Sequence, residues 1–263
     1  MPKVTSKDGT VIGYDKKGQG PLLILVLGAL NRKSQGKKLT ELLSDRFTVI
    51  SYDRRGRGDS TDTVPYSTTK EVEDIEALID ALDSNAYLYG HSSGCVLALM
   101  AAIELGVKVR GLALYELPYN ADIYAQKVSQ GYREELARLL SSDERGKAVA
   151  LFVRSVGVTD KQIAAMERLP MWKGLTAMAH TLAYDTIELM EQYPALDIKS
   201  IDAKTLVLFG TDSPAFMGDT AKKLTASMVN AKLQPIEGQS HDVKADALAP
   251  VLADFFASIT MQQ

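Results

Sequence analysis

Two hydrophobic periods alternate along this chain. Leu22 to Leu27, LLILVL, is an unbroken apolar run, the pattern of a strand covered on both faces. Phe47 to Tyr52, the short stretch from Ala86, Val109 to Tyr115, Lys204 to Phe209 and Lys232 to Ile236 read as further strands, and Thr10 to Asp15 alternates like an exposed one. Between them the period lengthens. Thr68 to Leu82 puts Val72, Ile75, Leu78, Ile79 and Leu82 on one helical stripe, and helices are predicted over about Ser34 to Leu43, after Gly94, over Phe216 to Met228 and over Asp246 to Ile259. Strand and helix in alternation predict an α/β fold with a mostly parallel central sheet, flanking helices and right-handed crossovers.

The pattern changes between Tyr119 and about Ser200. Strand signals stop, and helices are expected over roughly 129–140, 143–155, 160–168 and 172–190. This stretch reads as a helical cap inserted into an α/β core, with residues 1–118 and 201–263 forming the core and 119–200 the insertion.

Composition narrows the functional classes. With 263 residues, 46% of them hydrophobic, the chain can bury a large core. A net charge of -3, from 30 Lys+Arg against 33 Asp+Glu, offers no basic face for nucleic acid. Cys95 is the only cysteine, which leaves no internal disulfide and no multi-cysteine metal site. The polar start MPKVTSKDG has no apolar h-region, and the run from Pro21 to Leu27 is too short to span a bilayer. A cytoplasmic protein that meets neither nucleic acid nor membrane is expected, with a homodimer left open. No phosphate-binding loop, dinucleotide fingerprint or metal-ligand spacing is present, so no cofactor and no metal is implied.

The chemistry concentrates in Gly90-His91-Ser92-Ser93-Gly94, between an apolar strand and an apolar helix. A strand that turns sharply into a helix leaves little room, and glycines at both ends of the turn let neighbouring backbone approach. The central Ser92 is then raised above the sheet at a helix N-terminus, where the helix dipole and free N–H groups favour negative charge. A nucleophilic serine needs a base, and the chain has three histidines. His91 alternates away from Ser92, and His180 lies in the helical insertion. His241 follows the last strand, at the carboxyl ends where chemistry gathers in an open α/β sheet. It is the expected base.

These residues resemble the α/β-hydrolase superfamily over essentially the whole chain. The resemblance rests on the G-x-S-x-G turn, the Leu27-Gly28 end of the early strand, the Asp53 to Ser60 stretch (D-x-x-G-x-G-x-S) and the late histidine loop. It implies an oxyanion hole from the N–H groups of Ala29 and Ser93, with Gly28 leaving room; Leu27-Gly28 stands where the family often has His-Gly. The acid that orients the histidine has two candidates. The superfamily often has G-x-x-D after the strand that here is Leu206 to Phe209, but Gly210-Thr211-Asp212-Ser213 puts Ser213 in that slot and Asp212 one residue early. Some members carry the acid one strand earlier, where this chain has Glu116. Glu116 is the preferred acid, with Asp212 as the alternative.

A narrower resemblance points the same way. The fungal hydrolases that open the macrolactone of zearalenone have a Ser-Ser-Gly turn, a catalytic Glu in Glu-Leu-Pro and a Pro-x-Trp in the cap. The matches here are Ser92-Ser93-Gly94, Glu116-Leu117-Pro118 and Pro170-Met171-Trp172. The resemblance implies a cofactor-independent serine hydrolase of an ester or lactone of an apolar small molecule. Leu30, Pro118, Met171, Trp172, Met178, His180 and Tyr184 are the expected substrate contacts, and core packing is their competing reading. A ligand sensor on the same fold, or carbon–carbon hydrolysis or acyl transfer with the same residues, are the alternatives. Asp53, Arg54, Arg55 and Arg57 read as a structural loop buttressing the sheet edge rather than as an anion clamp.

Overall fold

A computed structural model describes residues 2–82, 84–119 and 127–260, with side chains from 130 onward in the last stretch. Residues 120–126 of the expected insertion lie outside the described residues. The described strands are β1 (Lys3–Thr5), β2 (Val11–Lys17), β3 (Leu22–Val26), β4 (Thr48–Tyr52), β5 (Ala86–His91), β6 (Val109–Tyr115), β7 (Lys204–Gly210) and β8 (Ala231–Ile236). They form one sheet in the order β1-β2-β4-β3-β5-β6-β7-β8. β1 and β2 join antiparallel, and every pairing from β4 to β8 is parallel. The sequence pattern missed β1, a three-residue edge strand too short to show a period.

Alternation along the central strands sorts the core into two faces. Leu22, Ile24 and Val26 of β3, Leu88 of β5 and Leu112 and Leu114 of β6 point to one face, where α2 (Thr68–Asp80) and α3 (Gly94–Leu105) cover them. Leu23, Leu25, Tyr87, Tyr89, Ala113 and Tyr115 point to the other. That face is covered by α1 (Lys37–Leu43) and the C-terminal helix Ala245–Thr260. With both faces covered, the parallel strands read as continuous apolar runs rather than as alternating ones.

Between β6 and β7 every described element is helical: α4 (Lys127–Ser141), α5 (Arg145–Ser155), α6 (Asp160–Met166), α7 (Pro170–Ala177) and shorter turns. The single helix expected over 172–190 is broken. After α7 come a 3₁₀ turn (Ala179–Thr181), a five-residue π-helical turn (Tyr184–Glu188) and α8 (Leu189–Gln192). Thr181 and Thr186 donate their hydroxyls to the Met178 and Leu182 carbonyls, a back-bonding that competes with regular helix geometry. α9 (Ala215–Ser227) and α10 (Ala245–Thr260) complete the fold. Among the described residues, no helix is long and apolar enough to cross a membrane.

The Asp53 to Ser60 loop departs from its expected place. β4, which it follows, lies inside the sheet between β2 and β3, so the loop buttresses the interior of the carboxyl end rather than an edge. Its arginines are buried in ion pairs. Arg54 grips Glu71 through two hydrogen bonds (2.7 and 2.6 Å), and Arg55 grips Asp74 likewise (both 2.8 Å). Arg54 and Arg57 converge on Asp185 in the π-helical turn (2.6 and 2.5 Å). Buried charges persist only when paired, so this loop is a structural anchor with no arginine free for an anion.

Candidate active site

The chain visits β3, then β4 on one side and β5 on the other, so a crevice opens at the carboxyl ends of β3 and β5. Four non-glycine residues among the described ones have positive φ. Three of them, Leu30 (+55°), Ser92 (+56°) and Glu116 (+52°), lie just past β3, β5 and β6. L-residues hold that conformation only when their surroundings enforce it, and such strain clusters at functional sites.

Crowding enforces it at Ser92. A Cβ on Gly28 would sit 2.8 Å from the Ser92 Cβ, one on Gly90 2.8 Å from the Cys95 Cα, and one on Gly94 2.1 Å from the Val26 carbonyl oxygen. Gly28 and Gly94 let the turn pack against the end of β3, and Gly90 lets it close on the start of α3. The Ser92 N–H donates to the Tyr115 carbonyl (3.0 Å), and its own carbonyl accepts from Cys95 N–H (2.9 Å) at the start of α3.

His241 is held from three sides. Its Nδ1 meets Glu116 Oε2 at 2.8 Å, His91 Nε2 donates to its carbonyl (3.0 Å), and the Tyr115 hydroxyl donates to the preceding carbonyl of Ser240 (2.6 Å). The His91 and His241 ring centroids are 5.0 Å apart. Residues adjoining Ser92 in the turn and in β6 therefore bring the late loop to the elbow. Glu116 is buried, and its second oxygen accepts the Gly210 N–H (2.8 Å) and the Ser213 hydroxyl. Burial pushes the Glu116 carboxyl up, but its hydrogen bonds from His241, Ser213 and Gly210 outweigh this and hold it below the usual glutamate range. Burial pushes His91 down to about 4, with His241 adding to the effect, so it is uncharged at neutral pH.

Asp212, the alternative acid, is exposed, and its N–H is spent on the Gln239 carbonyl (2.9 Å). Of the two candidates, Glu116 alone meets His241, and Ser213 in the expected acid slot serves as its hydrogen-bond donor. One residue's displacement in the turn after β7 is enough to turn Asp212 outward.

Among the described residues, neither the Ala29 nor the Ser93 N–H meets an acceptor, as an oxyanion site requires. Arg57 donates to the Gly28 carbonyl (2.9 Å), and the Asn31 side chain donates to that of Ala29 (3.1 Å), fixing this loop. Leu30 is buried in one apolar cluster with Met178, Ala179 and Leu182, which joins the helical region to the loop.

The remaining expected substrate contacts fall into two groups. Met178 is buried and accepts from Arg32 through its sulfur, and Tyr184 stacks on Tyr66 (3.7 Å between centroids) while donating to Asp62 (2.8 Å). Their side chains are spent on packing. His180 faces Asp62 at 3.4 Å. Met171 is exposed, Trp172 packs against the helical cluster, and Pro118 is half-buried beside Glu116.

A match to the model of the alpha/beta hydrolase family spans residues 32–251. The chain belongs to that family. An alpha/beta hydrolase from Sphaerobacter thermophilus DSM 20745 superimposes with a TM-score of 0.87, at 42% identity over 97% of this chain and all of the other. The non-heme chloroperoxidase CPO-A1 of Kitasatospora aureofaciens is 26% identical over 92% of this chain and 93% of its own. The uncharacterized hydrolase YraK of Bacillus subtilis is 28% identical, over 54% of this chain; the chain spans 58% of that relative's length. In this family member, sequence reasoning missed Asp185, whose carboxylate accepts from Ser93 Oγ (2.7 Å) as well as from the arginines. The available signal was three arginines in one short loop of an apolar strand end, which demand carboxylates from elsewhere.

Proposed function

We propose that this chain is a cofactor-independent serine hydrolase that cleaves a carboxylic ester or lactone of an apolar small molecule through an acyl-enzyme. The observation that carries the reading is the His241–Glu116 hydrogen bond beside a strained, elbow-mounted Ser92. Ser92 Oγ attacks the carbonyl carbon while its proton passes to His241 Nε2, the ring nitrogen left open by the bond from Nδ1 to Glu116. Ionised Glu116 stabilises the imidazolium and sets the tautomer. The oxyanion takes the Ala29 and Ser93 N–H groups, His241 returns the proton to the leaving alkoxide, and water repeats the sequence to release the acid.

Pro118, Met171 and Trp172 supply the apolar substrate surface, the last two from the cap formed by residues 119–200. The test is mass spectrometry of the intact protein after a fluorophosphonate, repeated on Ser92→Ala. A single adduct that is lost in the variant, followed by turnover of esters or lactones, is the expected result. An unlabelled, folded wild type sinks the reading in favour of a ligand-binding protein. A labelled enzyme that turns over no ester or lactone sinks the substrate class.

A further inference from the structure

Asp185 lies in the helical region yet is fully buried against the elbow. One of its oxygens accepts from Ser93 Oγ (2.7 Å) and Arg54 Nη1 (2.6 Å), the other from Arg57 Nη2 (2.5 Å). Arg57 spends its other terminal nitrogen on the Gly28 carbonyl (2.9 Å). The Gly28 carbonyl and the Ala29 N–H belong to one planar peptide unit, so a charged donor on the oxygen fixes that plane. It also polarises the N–H at the opposite end, strengthening it as a donor. Ser93, whose hydroxyl binds the same carboxylate, carries the second N–H. One side chain thus holds the supports of both candidate oxyanion donors. The five-residue π-helical turn over Tyr184–Glu188 is a local widening of the kind frequent at functional sites.

We infer that Asp185 is a positioning residue that, through Arg57 and Ser93, holds both oxyanion donors in register. The helical insertion thereby becomes a working part of the hydrolytic site. The inference rests on the serine-hydrolase reading. Burial pushes the Asp185 carboxyl up, but Arg54 and Arg57 outweigh it and hold it below the usual aspartate range, so the anchor is ionised at neutral pH. A buried ion cluster that served only folding would leave the reaction of correctly folded variants unchanged.

The experiment compares wild type, Ser93→Ala, Asp185→Asn and the double variant. For each it measures the rate of fluorophosphonate labelling at Ser92, kcat and KM on an activated ester, affinity for a trifluoromethyl ketone that forms a tetrahedral oxyanion, and the melting temperature. Losing an oxyanion donor outright costs on the order of 10²–10³ in rate, so loosening one through Ser93→Ala is expected to lower kcat about 10-fold with KM nearly unchanged. Ketone affinity should fall in step with kcat/KM. Asp185→Asn should cost more, and the double variant should cost no more than Asp185→Asn alone, because both act through one carboxylate.

Ser93→Ala keeps every ion pair of the cluster, so it decides the matter if Asp185→Asn fails to fold. A wild type that labels at Ser92 beside folded variants that label equally fast overturns the inference and leaves the hydrolase reading standing. A fall in kcat without a fall in ketone affinity also overturns it. A wild type that does not label overturns both.

Discussion

His241 and His180 each face one carboxylate, and their side chains are almost equally exposed, 35% and 34%. The pairs differ in everything around that contact. Glu116 is completely buried, approaches His241 at 2.8 Å and has its second oxygen occupied by Gly210 and Ser213. Asp62 lies 3.4 Å from His180, is 20% exposed, and has a second oxygen with no partner among the described residues; His180 Nδ1 is likewise unpartnered. In one pair both carboxylate oxygens are hydrogen-bonded. The other joins the helical region to the loop after β4, through Gly56 and Tyr184. A histidine–carboxylate pair becomes a candidate for chemistry through the groups that immobilise it and its place beside the Ser92 turn, rather than through its two residue types.

The largest effect that separates the pairs is on turnover. His241→Ala is expected to lower kcat on an ester by on the order of 10⁴–10⁶-fold, while His180→Ala stays within a few-fold. Equal losses would dissolve the distinction. Next come the carboxylates. Glu116→Gln, which keeps the shape and removes the charge, is expected to lower kcat about 10⁴-fold, against little change for Asp62→Asn or for the exposed Asp212→Asn. Steady-state kinetics of the three variants on one substrate rank them directly.

The third histidine sharpens the contrast, because only the His241 pair has one behind it. His91 titrates near 6.5 when unfolded and is pushed down to about 4 when folded. The unfolded chain therefore takes up this proton first as pH falls. The stability it contributes is complete above about pH 6.5 and is lost progressively toward pH 4, on the order of 1–3 kcal/mol. Thermal melts across that window should fall in wild type and flatten in His91→Gln. The smallest effect belongs to the other pair. Tyr184→Phe removes one hydrogen bond to Asp62 and is expected to cost about 0.5–1.5 kcal/mol of stability, read as a small drop in melting temperature with turnover unchanged.

Local rules were enough for much of this site. Gly90 and Gly94 announced a close approach of backbones, the family resemblance added Gly28, and each would place a Cβ within 3 Å of a neighbour. His241 was singled out by its place after the last strand, because parallel sheets collect their chemistry at one end. The choice between Glu116 and Asp212 was not local. Both follow strands in turns that tolerate a carboxylate, and only the packing of β6 against β7 buries one and exposes the other. The broken helix after Trp172 escaped for a related reason. Its apolar stripe is continuous, whereas the breaks follow from hydroxyl back-bonding and from tertiary ion pairs at Asp185.

By itself, then, the order of apolar runs and glycine turns determined a mostly parallel α/β sheet with Ser92 in a tight glycine-flanked turn and His241 after its last strand, because periodicity and steric room are properties of neighbouring residues. The hydrolase fold was read from the resemblance of those motifs. Only the tertiary structure decided which acid meets His241, which of three histidines is immobilised, and that Asp185 reaches Ser93 and Arg57 across 92 and 128 residues of chain. Charge pairing in a buried site acts over distance in space, and a carboxylate so far along the chain carries no local mark of the cations it will neutralise.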